Sequence, residues 1–255
     1  MIGGKGLAQL PKLNVAGSNP VARSDFPRPL RALKLHGGAD AKQLGVEDVA
    51  AVQRGLANLQ RHCENLAQFG LPVLVAINRF VSDTAAELAA VEAGCAQVGA
   101  QAILCEHWAK GGAGAETLAR AAVAAVESRQ ANFTPLYPLD LPLLKKIETI
   151  ATRIYRASGI APQPAVIKRA QALEAAGHGN LPVCIAKTQY SFSADPDAKG
   201  APTGHTLPIR ELRLSAGAGF VVALAGDIMS MPGLPQVPAA EKIRLLPDGE
   251  IDGIF

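Results

Sequence analysis

Polar, charged and aromatic side chains stand directly after three apolar segments of the sequence, and these are the residues whose types and spacing suit ligand chemistry. The apolar segments are 71–77, 102–105 and 181–186. The side chains that follow them are Asn78, Arg79, Phe80, Trp108, Lys110 and Lys187. Because ligands of open α/β sheets bind beyond the carboxyl ends of the strands, this arrangement predicts a binding site at the strand exits.

Two aromatic side chains at these exits suggest what the ligand looks like. Trp108 is the only tryptophan of the sequence, and it lies in a polar, glycine-rich segment rather than in an apolar one. Phe80 follows the neighbouring apolar run. Stacked rings gain about 0.5–1.5 kcal/mol beyond the burial of their area, so Phe80 and Trp108 are predicted to hold a flat heteroaromatic ligand between them. The candidate polar residues of this pocket are Asn78, Arg79, Lys110 and Lys187.

Other kinds of site find less support in the sequence. Arg31 and Lys34 are further bases that could meet phosphate or carboxylate groups, although a solvated surface position is an equal alternative. The five histidines lack metal-ligand spacing, so we expect no metal site. There is no GxSxG motif for a nucleophilic serine. Gly4-Lys5 is followed by Gly6, whereas a phosphate loop requires Ser or Thr after its lysine.

Composition limits the partners and the compartment. The 255 residues are 49% hydrophobic and 18% charged, with a net charge of +3 spread along the chain, so we expect neither a nucleic-acid nor a membrane-surface partner. The apolar runs are far shorter than the ~20 residues of a membrane span. Four cysteines without CxxC spacing lie in apolar stretches, which predicts buried, reduced thiols and a cytoplasmic protein.

The elements that must position these residues follow an α/β pattern, in which short β-branched runs alternate with alanine-rich amphipathic segments. We predict a mostly parallel sheet flanked by helices. The predicted helices are 46–69, 84–97, 115–128, 143–157 and 165–176, and the predicted strands are 71–77, 102–105, 181–186 and 220–225. Three parts are expected, with a proline-rich boundary at 133–142: a loop-like or disordered leader (1–30), an α/β segment carrying the stacking residues (31–132) and a C-terminal α/β domain (133–255).

Several long segments closely resemble the carboxyl-terminal portion of the formate–tetrahydrofolate ligases. They include NLQRHCENLAQFGLPVLVAINRFVSDTAAEL (58–88), WAKGGAG (108–114), FTPLYPLDLPLLKKIETIATRIY (133–155), GNLPVCIAKTQYSFSADP (179–196) and RLSAGAGFVVALAGDIMSMPGLPQVPAAEKI (213–243). The resemblance implies a P-loop-type ligase that uses ATP and Mg²⁺ to make formyl phosphate from formate. Tetrahydrofolate then attacks this intermediate through N10 and becomes 10-formyltetrahydrofolate. The resemblance also implies that Phe80 and Trp108 hold the pterin and that Thr203 and Gly204 border the nucleotide site.

The family's phosphate loop has no counterpart among these 255 residues, so we expect a truncated ligase that is inactive alone. The sequence also departs from the family pattern at Cys105, His107 and His205, which affects the expected pocket shape. Two alternative functions remain open: a non-catalytic folate-binding or interaction half that complements a separate N-terminal chain, and a frameshifted fragment without function. The macromolecular partner is expected to be either a second copy of the chain, in a homo-oligomer, or that N-terminal half.

Overall fold

The structure, a computed structural model that describes residues 29–227, 237, 241, 243–247 and 251–252, contains three sheets with flanking helices. The third sheet is only a short antiparallel pair of residues 244–245 and 251–252. The helices are α1 (Pro29–His36), α2 (Val49–Ala67), α3 (Ala85–Ala96), α4 (His107–Lys110), α5 (Glu116–Glu127), α6 (Leu143–Arg153) and α7 (Pro164–Leu173). The strands are β1 (Leu74–Asn78), β2 (Gln101–Cys105), β3 (Gly159–Pro162), β4 (Val183–Ala186), β5 (Thr206–Ser215), β6 (Phe220–Ala225), β7 (Arg244–Leu245) and β8 (Ile251–Asp252).

The first sheet pairs β1 with β2 in parallel, from Leu74 opposite Gln101 to Asn78 opposite Cys105. Helices α2 and α3 pack together beside it, because their apolar residues recur at helical spacing and share one core with the strands. That core is formed by Leu30, Leu33, Val52, Leu56, Cys63, Ile77, Leu88, Val91, Cys95 and Ala100. Both helices start at side-chain caps, Asp48 for α2 and Thr84 for α3.

The second sheet has the strand order β3-β5-β6-β4. Strand β3 runs parallel to β5 and β4 runs parallel to β6, while β5 and β6 are antiparallel and joined by a tight turn. Gly219 supplies the left-handed residue of that turn, with φ of 72°. A separate core lies between this sheet and helices α6 and α7, and its largest fully buried apolar side chains are Leu143, Ile147, Val166, Leu207, Ile209 and Val221.

Helix α2 connects the first half of the structure, which contains the first sheet, with the second half, which contains the second sheet. The Asn58 side-chain amide donates to the carbonyl of Gly200 at 2.8 Å, and that of Asn65 donates to the carbonyl of Ile154 at 3.0 Å. The N–H of Gly200 in turn donates to Nδ1 of His36 at 3.1 Å. The loop that carries Gly200 is therefore held on α1 and α2, far away in the sequence.

The α/β class with mostly parallel strands is confirmed, and each predicted helix and strand is present with small shifts at its ends. The elements that the sequence pattern did not predict are α1, α4, β3, β5, β7 and β8. Strand β5 escaped because a bulge between Ile209 and Glu211 interrupts its alternation and Pro208 lies within it. The predicted leader lies outside the described residues up to position 28, and the domain boundary at 133–142 stays a prediction.

The expectation of buried thiols is correct for Cys63, Cys95 and Cys105 and wrong for Cys184, which is exposed. Cys184 lies on β4, where successive side chains alternate between the two faces of the sheet, so an apolar sequence context does not ensure burial. Within the described part of the chain, none of the helices is both long and apolar enough to cross a membrane.

Candidate functional site

Strands β1 and β2 end side by side at one edge of the first sheet. Asn78 is in register with Cys105, and the N–H of Arg79 continues the ladder by donating to the carbonyl of Cys105 at 3.0 Å. Phe80 and Trp108 follow these two strand ends within three residues. The structure thus brings the two predicted stacking residues to neighbouring segments, because the carboxyl ends of parallel strands meet at the same edge.

The segment with Trp108 forms a short closed loop. Helix α4 leads into a 3₁₀ turn (Gly111–Ala115), and the N–H of Glu106 donates to the carbonyl of Gly114 at 2.9 Å. A Cβ atom on Gly114 would lie 2.4 Å from the carbonyl carbon of Glu106, so only glycine permits this closure. The Trp108 side chain is 88% exposed. The indole of Trp108 is therefore not a core side chain, and its surface is accessible to a ligand.

Two hydrogen bonds with Asp83 fix the backbone of Phe80. Its N–H donates to Oδ2 of Asp83 at 2.8 Å, and the N–H of Asp83 donates back to the carbonyl of Phe80 at 3.0 Å. Asp83 is only 8% exposed, so this turn is anchored at the start of α3. The Phe80 segment is therefore a firm wall of the candidate site.

The carboxylate of Glu106 connects the two sides of the candidate site, the Phe80 segment and the Trp108 loop. Oε1 of Glu106 accepts from Nη1 of Arg79 at 2.9 Å, and Oε2 accepts from Nζ of Lys110 at 2.6 Å. The hydrogen bond from Lys110, and secondly that from Arg79, hold the pKa of Glu106 below its usual range. The sequence interpretation did not single out Glu106. Its spacing of four residues from Lys110, with the acid first, is a favourable helical pair and was the available signal.

A buried ion pair supports the start of α3 behind the site. The Lys34 ammonium contacts the Glu87 carboxylate and also donates to the carbonyl of Val46 at 2.7 Å. Glu87 accepts from the N–H of Asp48 and forms a capping box with Thr84. Neither alternative left open for Lys34 describes this arrangement, because its ammonium is buried and paired inside the protein.

Lys187 does not join the other candidates. It follows β4 in the second sheet, and its ammonium donates to the carbonyl oxygens of Thr188 and Ser191 and lies 5.0 Å from the ring centroid of Tyr155. Burial lowers the pKa of Lys187 to about 8. These contacts give the lysine a role in holding its own loop.

The predicted nucleotide-proximal residues lie on a loop that packs against the first half. The N–H of Gly204 donates to the carbonyl of Arg156 at 2.9 Å, and the φ of Gly204 is 72°. Thr203 beside it is exposed. Since Gly200 is bound by His36 and Asn58, this loop is anchored to the first half while Thr203 stays accessible.

Comparison with known proteins agrees with the earlier resemblance. Residues 27–255 match the family described as formate–tetrahydrofolate ligase. The chain is 57% identical over 244 residues to the formate–tetrahydrofolate ligase of Allorhizobium ampelinum and 56% identical over 244 residues to that of Paracoccus denitrificans; each match covers 96% of this chain and 44% of the relative. The enzyme of Maricaulis maris is 57% identical over 226 residues, which are 89% of this chain and 41% of the relative.

The parallel strand pairs with their flanking helices define an α/β protein. The chain belongs to the formate–tetrahydrofolate ligase family. It spans less than half of the length of the relatives that it matches.

Proposed function

We propose that this chain supplies the tetrahydrofolate-binding wall of a formate–tetrahydrofolate ligase. The observation that carries the proposal is the exposure of Trp108 on a closed loop, beside the strand exit that presents Phe80. The pterin of the folate stacks between the two rings. The names of the relatives supply the ligand class, and the geometry of the strand exits suits a flat heteroaromatic group.

The polar residues of the strand exits complement this ligand. A guanidinium carries five N–H donors, so the bond from Arg79 to Glu106 leaves donors for a carbonyl or carboxylate oxygen of the folate. Lys110 adds a second positive charge at the same edge, and Asn78 is the last residue of β1. Together they favour an anionic, hydrogen-bonding ligand over a purely apolar one.

The residues of this chain do not fit ATP and Mg²⁺ by themselves. No GxxxxGK[ST] segment occurs in the 255 residues. Among the described residues, no three His, Cys, Asp or Glu side chains come together in a way that would hold a metal ion. We therefore place no step of formate activation on these side chains and assign to this chain only the binding and orientation of the folate, with Thr203 and Gly204 bordering the nucleotide in the full-length enzyme.

Fluorescence of the single tryptophan tests the proposal. Titration of tetrahydrofolate into the 255-residue chain is expected to quench the Trp108 emission to saturation, because a stacked pterin is in direct contact with the indole. Phe80→Ala removes the opposite ring and should raise the Kd about tenfold, which corresponds to about 1.4 kcal/mol.

Val126→Ala is the matched control, since Val126 is 78% exposed on α5 and away from the strand exits. It should bind tetrahydrofolate like the wild type. Emission that does not change with saturating tetrahydrofolate, in a sample whose circular dichroism shows a folded α/β protein, contradicts the proposal.

A second candidate function is that of an interaction half that assembles with the remaining part of the enzyme. Parallel sheets are normally covered on both faces, yet in the described residues β1 and β2 form a sheet of two strands and Leu74, Val75 and Ala76 stay partly exposed. Helix α5 has no buried residue, and its Val123 is 55% exposed. These surfaces suit the portion of the relatives that the match leaves out.

Co-expression separates the two functions. The unmatched portion of the Paracoccus denitrificans relative is produced together with this chain, and the pair is expected to copurify and to protect the β1 amides from hydrogen exchange. If the two polypeptides stay apart at equal expression, the assembly function is refuted and folate binding stands by itself.

A further inference from the structure

We propose that Glu106 is a positioning residue that sets the gap between the Phe80 and Trp108 rings by latching the Trp108 loop to the end of β1. The inference rests on the proposed function, in which the two rings hold tetrahydrofolate. Glu106 touches neither ring through its carboxylate bonds. It acts through Arg79, the neighbour of Phe80, and through Lys110, two residues beyond Trp108.

The geometry of the carboxylate suits this role. Each oxygen serves a different loop, with 2.9 Å from Oε1 to Nη1 of Arg79 and 2.6 Å from Oε2 to Nζ of Lys110. The backbone of Glu106 also accepts from the N–H groups of Ala109 and Lys110, at 3.0 and 2.9 Å. Glu106 thereby fixes the start of the Trp108 loop through its backbone and connects the loop to the Phe80 segment through its side chain.

The Trp108 loop has little else to hold it. Helix α4 and the turn that follows contain no buried residue. Within the described part of the chain, the side-chain hydrogen bond that residues 107–114 form is the one from Lys110 to Glu106. The Phe80 wall, in contrast, is closed by the buried Asp83. The position of Trp108 is therefore the adjustable one, and Glu106 controls it.

The latch contributes to position more than to global stability. Arg79 and Lys110 are 47% and 59% exposed, and the Glu106 side chain is 27% exposed. Ion pairs at such exposure add little to folding free energy. A variant without the charge should keep its fold while its rings lose their fixed separation.

Glu106→Gln tests this inference, because glutamine keeps the length of the side chain and removes its charge. The Kd of tetrahydrofolate, read from Trp108 quenching, is expected to rise about three- to tenfold. The Trp108 anisotropy of the ligand-free protein should fall, and acrylamide should quench the indole more strongly. The melting temperature should stay within about 2 °C of the wild type.

Glu116→Gln is the matched control. Glu116 forms an ion pair with Arg120, also four residues ahead and with 2.5 Å between Oε1 and Nη2, but within α5 alone. This variant should change neither the Kd nor the anisotropy. Equal effects of the two variants would mean that loss of any surface charge weakens binding, and the inference would be overturned.

A double variant with Arg79→Gln and Lys110→Gln serves as a background that distinguishes a positioning role of Glu106 from direct contact of Glu106 with the folate. In this background, Glu106→Gln should have no further effect, because the latch is already open. A full additional loss of affinity would show that Glu106 binds the ligand itself and would overturn the inference.

The failure of the proposed function can be told apart from the failure of this inference. If the wild type binds no tetrahydrofolate, the proposed function fails. The Trp108 anisotropy of the ligand-free protein still tests the latch, and unchanged anisotropy in Glu106→Gln overturns it.

Discussion

The Lys34 ammonium and the Glu87 carboxylate form an ion pair closed off from water, with side-chain exposures of 2% and 0%. The pair joins α1 to the start of α3, and α3 begins directly after the Phe80 turn. Burial alone would raise the pKa of Glu87, but the hydrogen bond from Lys34 and those from the N–H groups of Asp48 and Thr84 outweigh it and lower the pKa. The charged form is therefore the one that the fold requires.

Removal of one partner should destabilise the protein strongly. Lys34→Met leaves the Glu87 charge buried without its counterion and is expected to cost about 3–5 kcal/mol of unfolding free energy, measured by urea denaturation. Lys34→Met combined with Glu87→Gln removes both charges and should cost clearly less than the sum of the two single changes. Strict additivity would show that the two side chains do not interact.

The conformation of the Trp108 loop should require glycine at position 114 but not at position 112. An alanine at 114 would force its Cβ against the Glu106 backbone, whereas a Cβ at Gly112 meets nothing within 4 Å. Gly114→Ala is expected to cost about 1–3 kcal/mol and to weaken the quenching of Trp108 by tetrahydrofolate. Gly112→Ala in the same loop is the control, and a similar loss in both variants would contradict the assigned closure.

Stability should fall in mild acid because of His62. Burial first, and then the nearby His36, Lys187 and Arg61, lower its pKa to about 4 from an unfolded value of 6.5. Between these values the unfolded chain binds the proton and the folded chain does not, so the unfolding free energy decreases as pH falls from about 6.5 to about 4, by at most about 3 kcal/mol.

His62→Phe removes this titration and retains an aromatic ring near Phe192, whose centroid lies 4.6 Å from that of His62. The difference in unfolding free energy between wild type and variant should therefore depend on pH over this window. The pKa values of His36 and His205 are also lowered, and the pH dependence that remains in His62→Phe belongs to these groups. A difference independent of pH would contradict the buried neutral state of His62.

The 255-residue chain by itself should make no measurable 10-formyltetrahydrofolate from formate, ATP and tetrahydrofolate. Transfer of a phosphoryl group depends on positioned donors and cations, and loss of such groups typically lowers rates at least about 10³-fold. The assay compares the purified chain with the full-length Paracoccus denitrificans relative at equal concentration. A comparable rate would refute the assignment of formate activation to residues outside this chain.

The sequence alone was enough for the elements with strong periodicity and for the residues at their ends. The apolar runs and the capping pair Thr84 with Glu87 predicted β1, β2 and α3 closely. The position of Phe80 and Trp108 after two parallel strands predicted their meeting at one edge. The helices and strands themselves are local features, since they depend on side-chain spacing. The meeting of the two strand ends requires in addition only that neighbouring strands run parallel.

Only the tertiary structure decided where each charge is used. Lys34 and Lys187 look alike in sequence as bases near apolar segments, yet the first is paired with Glu87 in the core and the second binds the carbonyls of its own loop. Glu106 contacts Arg79, 27 residues earlier, because Arg79 directly follows the adjacent strand β1. Burial and pairing of charges depend on contacts between distant segments, and no local pattern of the chain encodes those contacts.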